Sequence, residues 1–208
     1  MSVATLSHPG PKPDKLLFLK KFIKHGKRVA SFAPSSRALA AAMCDHVTSD
    51  VAQTIVELGA GTGAVTQAIC KKMHPGSRLI AVEIDPTFAA HLRHSCPTAE
   101  VVVADVLHLR ETLTQCGIRN VDVILNGLPT PSLPKSLNHV VLQTFADLAP
   151  NGVFSQLTVM PWVYKPTYDR LFHDVDFSLV MKNVPPGGVY HCRGLRASWR
   201  DAVPGEEK

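Results

Sequence analysis

The run Val56-Glu57-Leu58-Gly59-Ala60-Gly61-Thr62-Gly63-Ala64 constrains this chain more than any other segment. It follows a short β-branched apolar stretch, Thr54–Leu58, and opens a helical pattern over 65–73. A strand that runs into three closely spaced glycines and then a helix presents backbone N–H groups with no Cβ in front of them, near a positive helix end. Such loops occur where an open parallel sheet binds a ligand at its strand ends. Two other readings share the spacing. A tight turn without a ligand satisfies it, and Gly59-x-Gly61-x-x-Ala64 also fits the loose dinucleotide fingerprint of an NAD-dependent oxidoreductase.

The rest of the chain alternates in the way that loop requires. Residues 78–83, 100–104, 121–125 and 153–159 read as further strands. Residues 37–43, 86–94, 109–116 and 137–148 read as helices, the second with Pro86 in its first turn. After the fifth strand, 177–182 and 189–193 read as two more strands joined through Pro185-Pro186-Gly187-Gly188. Alternating strands and helices predict an α/β fold: a doubly wound, mostly parallel sheet covered on both faces. A chain of 208 residues is long enough for one such domain and too short for two ordinary ones.

Acids stand at the ends of the successive strands. Glu57 lies two residues before Gly59, where a carboxylate can hold the loop's N–H groups or a ligand ammonium. Glu83 ends the second strand, where it can accept both hydroxyls of a ribose; NAD enzymes use a similar acid. Asp105 ends the third, where it can receive the amino group of an adenine. Each acid alone is equally at home as a solvated strand end. Four features in register at the ends of consecutive strands are much harder to place by chance.

The N-terminal segment has a different character. Residues 1–14 read as a flexible tail broken by Pro9, Pro11 and Pro13. Over 15–29, Leu16, Phe18, Leu19, Phe22, Ile23 and Val29 fall on one half of a helical wheel and Lys20, Lys21, Lys24, His25 and Lys27 on the other. Residues 12–37 carry eight lysines and arginines against Asp14 alone, within a chain of net charge +5. A helix of this kind lies in the head-group plane of an anionic bilayer, with Phe18, Lys20, Lys21, Phe22 and Lys24 as the contacts. The same pattern suits a helix packed on the sheet with solvated lysines, or a groove for a phosphate backbone. No apolar run reaches the ~18–20 residues that span a bilayer, and the N-terminus lacks a signal-peptide core. The five cysteines form no CxxC pair and the ten histidines no HExxH, so neither a disulfide framework nor a metal is expected. The expected location is cytoplasmic, peripheral to the membrane's cytoplasmic face.

The order of Glu57, the glycines, Glu83 and Asp105 resembles the class I S-adenosylmethionine-dependent methyltransferases. Within them, further segments are similar to the bacterial phospholipid N-methyltransferases of the phosphatidylethanolamine type: Phe18-Leu19-Lys20-x-Phe22-Ile23-Lys24, Ala33-Pro34-Ser35-Ser36-Arg37-Ala38-Leu39-Ala40, Gly127-Leu128-Pro129, and Asn183-Val184-Pro185-Pro186-Gly187-Gly188-Val189-Tyr190. The resemblance spans roughly residues 15–193. It implies a seven-stranded Rossmann-like sheet with an antiparallel last strand and S-adenosylmethionine as cofactor. It also implies methylation of phosphatidylethanolamine and its methylated intermediates, towards phosphatidylcholine, at a membrane surface. Residues 15–45 then form the basic amphipathic helix and a capping helix, 46–200 the methyltransferase core and 201–208 a tail.

The same resemblance assigns the cofactor site to Ser35, Ser36, Glu57, Gly59, Ala60, Gly61, Gly63, Glu83, Ile84, Asp105, Val106 and Asn126. Asn126 and Tyr190 are the catalytic candidates, with His191 and Tyr164 as other groups able to assist a proton's departure. Gly127, Leu128 and Pro129 would meet the acceptor, and Arg193 or Arg196 a lipid phosphate. A competing reading takes Asn126 from the Asn/Asp-x-Pro-aromatic motif of adenine N6-methyltransferases such as the rRNA dimethyltransferases. Here the spacing has one extra residue, and Thr130 follows Pro129 where a stacking aromatic is needed, so a nucleic-acid partner is not expected. A non-catalytic module that senses membrane or cofactor is the remaining alternative.

Overall fold

A computed structural model describes residues 36–130, 133–181 and 186–205 of the chain. All belong to one unit, Pro34–Lys208. The segment 15–29, with its five membrane candidates, and Ser35 lie outside the described residues.

Seven strands form one sheet: β1 Thr54–Leu58, β2 Arg78–Glu83, β3 Glu100–Val103, β4 Val123–Asn126, β5 Val153–Thr158, β6 Phe172–Val180 and β7 Gly187–Leu195. Their order across the sheet is β3-β2-β1-β4-β5-β7-β6. Pairing is parallel from β3 through to β5, and β7 runs antiparallel to both β5 and β6. This is the doubly wound, mostly parallel seven-stranded sheet that the sequence predicts. The reversal of order beside β1 opens a crevice between the carboxyl ends of β1 and β4, the place where such sheets bind ligands.

Among the described residues six α-helices cover it: α1 Ser36–Met43, α2 Ala64–Lys72, α3 Pro86–Ser95, α4 Leu109–Gln115, α5 Lys135–Leu148 and α6 Pro161–Leu171. Local chemistry sets several boundaries. Asp85 caps α3 by accepting the Thr87 N–H, with Pro86 behind it in the first turn. Asp105 likewise accepts the Leu107 N–H and caps a 3-10 turn, Val106–His108.

The strands between β3 and β7 are buried on both faces, so they read as nearly continuous apolar runs. On one face, Leu39 and Met43 of α1 and Ile69 of α2 pack on Ile55, Leu79, Val123, Leu125 and Val189. On the other, Phe145 of α5 meets Phe154 and Phe172, with ring centroids 5.6 and 5.7 Å away.

Three outcomes differ from the sequence expectation. The helix α6 escapes it, because Pro166 sits inside the helix and no apolar stripe marks its turns. The final hairpin is longer than 177–182 and 189–193, because the start of β6 carries His173, Asp174 and Asp176 on an edge strand that needs no second apolar face. The packed chain also continues past residue 200: Trp199 and Val203 are buried, and the Pro204 carbonyl accepts from Asn138 Nδ2 at 2.9 Å.

Candidate active site

The glycine loop is built from its own hydrogen bonds. Gly59 donates its N–H to the Val82 carbonyl at 2.9 Å, Gly63 donates to the Ala60 carbonyl at 3.0 Å, and buried Ala60 fills the turn between them. Gly59, Gly61 and Gly63 all take positive φ. At Gly59 a side chain is excluded twice. Its φ of 73° disfavours any Cβ, and a Cβ there would lie 2.6 Å from Leu128 Cδ2. The cofactor loop thus packs directly on the segment predicted to meet the acceptor. At Gly61 a Cβ would meet only the Gly59 carbonyl oxygen, at 3.9 Å, so the loop's tip leaves room for a ligand beside the main chain.

The three acids divide the work. Glu83 is buried and accepts from Gly61 N–H at 2.7 Å with Oε2 and from Asp85 N–H at 2.9 Å with Oε1. It ties the loop after β1 to the turn after β2, and each oxygen keeps a second lone pair for a ribose hydroxyl. Ile84, next in sequence, is half-buried. Asp105 stands at the same end of β3, with Oδ1 used by its cap and buried Val106 beside it. Glu57 is only 3% exposed and accepts from the Thr66 hydroxyl at 2.7 Å. Burial pushes its carboxyl up to about 7, the charge of Glu83 adds to this, and the Thr66 hydrogen bond offsets part of it. A cationic ligand beside Glu57 restores its charge.

Register explains the acceptor side. Leu58, Asn126, Gln156, Tyr190 and Phe177 are paired successively across β1, β4, β5, β7 and β6, so they form one row on one face. Asn126 Nδ2 donates to Gln156 Oε1 and to Thr130 Oγ1, both at 2.7 Å. Thr130 Oγ1 also donates to Gln156 Oε1 at 2.7 Å. Gln156 Nε2 donates in turn to the Leu128 carbonyl at 2.9 Å, and Asn126 Oδ1 accepts the Leu128 N–H at 3.2 Å. These buried groups hold Gly127-Leu128-Pro129 in place, and Gly127 is the exposed member of the loop. Its N–H is bound to the Leu58 carbonyl at 2.9 Å.

Tyr190 lies further along the row, buried and stacked on Tyr168 at 4.7 Å, with Phe177 at 5.0 Å. Burial raises its phenol to about 12, so near neutral pH it is a hydrogen-bond donor and not a base. His191 faces the opposite side of the sheet. Its Nδ1 hydrogen-bonds Ser155 Oγ at 2.9 Å, and burial, with His46 adding to it, lowers its pKa to about 4.

Arg193 and Arg196 do not join this group. Cys192 pairs with Phe154 and Leu195 with Phe172, which carries both arginines to the opposite end of the strands from the glycine loop. There Arg193 meets Asp174 at 3.4 Å and Asp176 at 3.6 Å, and Arg196 Nε donates to the Phe172 carbonyl at 2.8 Å. Ser36 begins α1 and its side chain lies outside the described set. Thr66 and Gln156 escape the sequence reading. The signal for Gln156 is a long polar side chain in the middle of a buried strand, between Phe154 and Leu157. Among the described residues no group of three or more His, Cys, Asp or Glu could hold a metal ion.

The arrangement suits S-adenosylmethionine: an open glycine tip at a helix start, a buried carboxylate with free lone pairs, and a second one that a positive charge would ionise. No family model matches the chain. An ornithine lipid N-methyltransferase of Singulisphaera acidiphila is 43% identical over 190 residues, which cover 89% of this chain and 99% of that protein. A ribosomal RNA small subunit methyltransferase A of Albidiferax ferrireducens is 26% identical over 164 residues, 76% of this chain but 60% of its own length. Among solved structures, the 1,6-didemethyltoxoflavin-N1-methyltransferase of Burkholderia thailandensis, with bound 1,6-didemethyltoxoflavin and S-adenosylhomocysteine, is similar at a TM-score of 0.63 and 19% identity, covering 93% of this chain and 95% of that one. The O-methyltransferase TomG of Streptomyces achromogenes, in complex with S-adenosylmethionine, is similar at a TM-score of 0.56 and 16% identity, over 88% and 91%. The structural likenesses establish the fold; the first relative, similar over nearly its whole length, establishes more. The chain belongs to the ornithine lipid N-methyltransferase family, within the class I methyltransferases that use S-adenosylmethionine.

Proposed function

We propose that this protein methylates the head-group amine of a membrane lipid. The observation that carries this reading is the 43% identity to an ornithine lipid N-methyltransferase along nearly its whole length. Two acceptors share the required chemistry: ornithine lipid, for which that relative is named, and phosphatidylethanolamine with its methylated intermediates, which the sequence resemblance implies.

Bound S-adenosylmethionine supplies a methyl group activated by a sulfonium. Glu83 and Asp105 would hold and orient it beside the glycine loop, with Glu57 near its positive charge. Residues 126–130 carry no ionisable side chain, so the acceptor loop offers no carboxylate to an ammonium and favours the neutral amine. The Gly127 and Pro129 carbonyls would orient that amine, with Asn126, Thr130 and Gln156 fixing the loop behind them. Displacement in line needs alignment and exclusion of water more than a dedicated base. Residues 15–29 would bring the site to an anionic bilayer, and among the described residues no helix is long and apolar enough to cross a membrane.

Transfer of tritium from labelled S-adenosylmethionine tests the reading and ranks the acceptors. Vesicles holding ornithine lipid, phosphatidylethanolamine or neither are compared with ribosomal RNA. Label in either lipid and none in RNA supports it. Label in RNA alone overturns it in favour of adenine methylation, the reading supported by Asn126 and the 26% identical relative. The structural observation against that reading is Thr130, which is buried and bonded to Gln156 where a stacking aromatic is needed.

A further inference from the structure

The described surface carries an apolar corner that the methyl-transfer chemistry does not use. Met160, Trp162, Val163, Leu179 and Met181 are all exposed, Trp162 to 72% and Met181 to 67%. They come from two separate stretches that the sheet brings together. Thr158 at the end of β5 pairs with Gly188, and Val180 at the end of β6 pairs with Gly187. With β7 between them, the two strand ends lie about 10 Å apart. They are also on one face: Tyr168 of α6 stacks on Tyr190, which meets Phe177, and Leu179 stands two residues after Phe177. This end of the sheet is the one that bears the acceptor loop, because Gln156, bonded to Asn126, precedes Thr158 by two residues on β5.

We propose that this corner inserts into the surface of a lipid bilayer and seats the acceptor loop over its substrate. The proposal rests on the lipid reading of the site and names a surface separate from residues 15–29. Three observations select a bilayer as the occupant. The exposure changes along α6: its first turn shows Trp162 and Val163, and its later exposed positions are Lys165, Pro166, Asp169 and Arg170, three of the four charged. A helix that dips its tip into lipid needs that gradient, whereas one lying along a protein groove needs a lengthwise stripe. Charge agrees as well. Residues 156–168 and 177–190 contain Lys165 and Lys182 and no acid. The two segments therefore carry a positive formal charge, part of it met by Asp169 at 2.8 Å from Lys165, and that sign suits an anionic surface. Finally, a large amphipathic indole beside methionines is the composition that settles at a membrane–water boundary.

The chain contains two tryptophans, and the other, Trp199, is 4% exposed with the Arg200 guanidinium 4.6 Å from its ring centroid. Indole emission therefore reports on Trp162. The full-length protein is mixed with vesicles of phosphatidylcholine, phosphatidylglycerol and an amine lipid that the protein methylates, with and without bromine on the phosphatidylcholine acyl chains. The expected result is a blue shift with vesicles and quenching by the brominated chains, both lost in Trp162→Phe. A second variant, Trp162→Ser with Val163→Ser and Met181→Ser, should methylate vesicle lipid about tenfold more slowly. Its melting temperature, its affinity for S-adenosylmethionine and its turnover of a short-chain acceptor dispersed as monomers should match the parent's. If the parent methylates vesicle lipid while Trp162 stays unquenched, or the serine variant keeps the parental rate, the surface is overturned and the lipid reading stands. If emission shifts with protein concentration alone, the corner binds a second copy and the proposal fails. If no amine lipid accepts a methyl group, short-chain lipid included, the underlying reading fails and takes the surface with it.

Discussion

The two halves of the ligand crevice are held by different kinds of bond. On the proposed cofactor side, β1 to β3 end in turns held through backbone N–H groups: Asp85 to Glu83 and Leu107 to Asp105 locally, Gly61 to Glu83 and Gly59 to Val82 across the paired ends of β1 and β2. On the acceptor side, the loop after β4 is held by side chains about thirty residues apart, Asn126 and Gln156, which meet only because parallel pairing aligns them. The first half is fastened through the main chain and the second through buried side chains; both need neighbouring strands in register. A substitution in the first should be felt mainly in cofactor binding, and one in the second mainly in turnover.

The largest effect is expected where the halves touch. Gly59→Ala combines a disfavoured φ with a clash on Leu128, and should cost about 2–4 kcal/mol in cofactor binding and lower turnover as well. Gly117 has nearly the same φ, 72°, with nothing within 4 Å of a Cβ. Gly117→Ala should therefore show the backbone cost alone, about 1–2 kcal/mol of stability, with cofactor affinity intact. Equal effects at the two sites, by calorimetry and melting, would remove the case for contact between the halves.

Next come the strand-end acids. Glu83→Ala and Asp105→Ala should each weaken S-adenosylmethionine binding by about 1–3 kcal/mol. Glu83→Ala should also lower the melting temperature, because two backbone N–H groups lose their acceptor. Unchanged affinity in both variants, with the fold intact, would reject the assigned cofactor geometry.

Gln156→Leu tests the other half. It removes the acceptor shared by Asn126 Nδ2 and Thr130 Oγ1 and the donor to the Leu128 carbonyl, and should cost about 1–3 kcal/mol of stability. Turnover should fall with cofactor affinity nearly constant. A parallel loss of both would mean that the sheet row supports the whole crevice and that the division above is wrong.

The smallest effect is a pH dependence. Glu57 titrates near 7 in the folded protein, above its ordinary range, so below that pH a cationic ligand must displace a proton. Affinity for S-adenosylmethionine should be flat above about pH 7 and fall towards tenfold for each unit below it. The same shift has a consequence for folding. Between the ordinary carboxylate range and about 7 the folded state holds a proton that the unfolded state has released, so stability of the free protein declines as pH rises through that window. Glu57→Gln should flatten both profiles. Calorimetry at pH 6 and 8 checks the first, and thermal melts across the window the second.

The same division governs what could be read from residues in order. The glycine loop, Glu57, Glu83 and Asp105 are legible because each stands within a few residues of a strand end, and strand ends follow from runs such as Arg78–Glu83. Nothing near Asn126 in sequence names Gln156 as its partner, because that contact depends on which strands become neighbours. Arg193 shows the cost of ignoring register. Its guanidinium suits a lipid phosphate, and antiparallel pairing carries it to the far rim. Helix α6 was hidden for a local reason, Pro166, although its fixed φ suits a helix whose stability comes from Tyr168 and Leu171 buried against the last two strands.

Glu83 has one more consequence. Its bonds to Gly61 and Asp85 lie wholly within the protein, so the shape of the cofactor loop is settled when the chain folds. In kinetic language, a ligand that arrives or leaves at this loop would pay no toll for reshaping it, and residence time would follow from the contacts broken. An enzyme that adds several methyl groups to one amine must trade spent for fresh cofactor between rounds. A loop fastened in advance makes that exchange an event of diffusion and contact, separable in time from the slower movement of a lipid across a membrane surface.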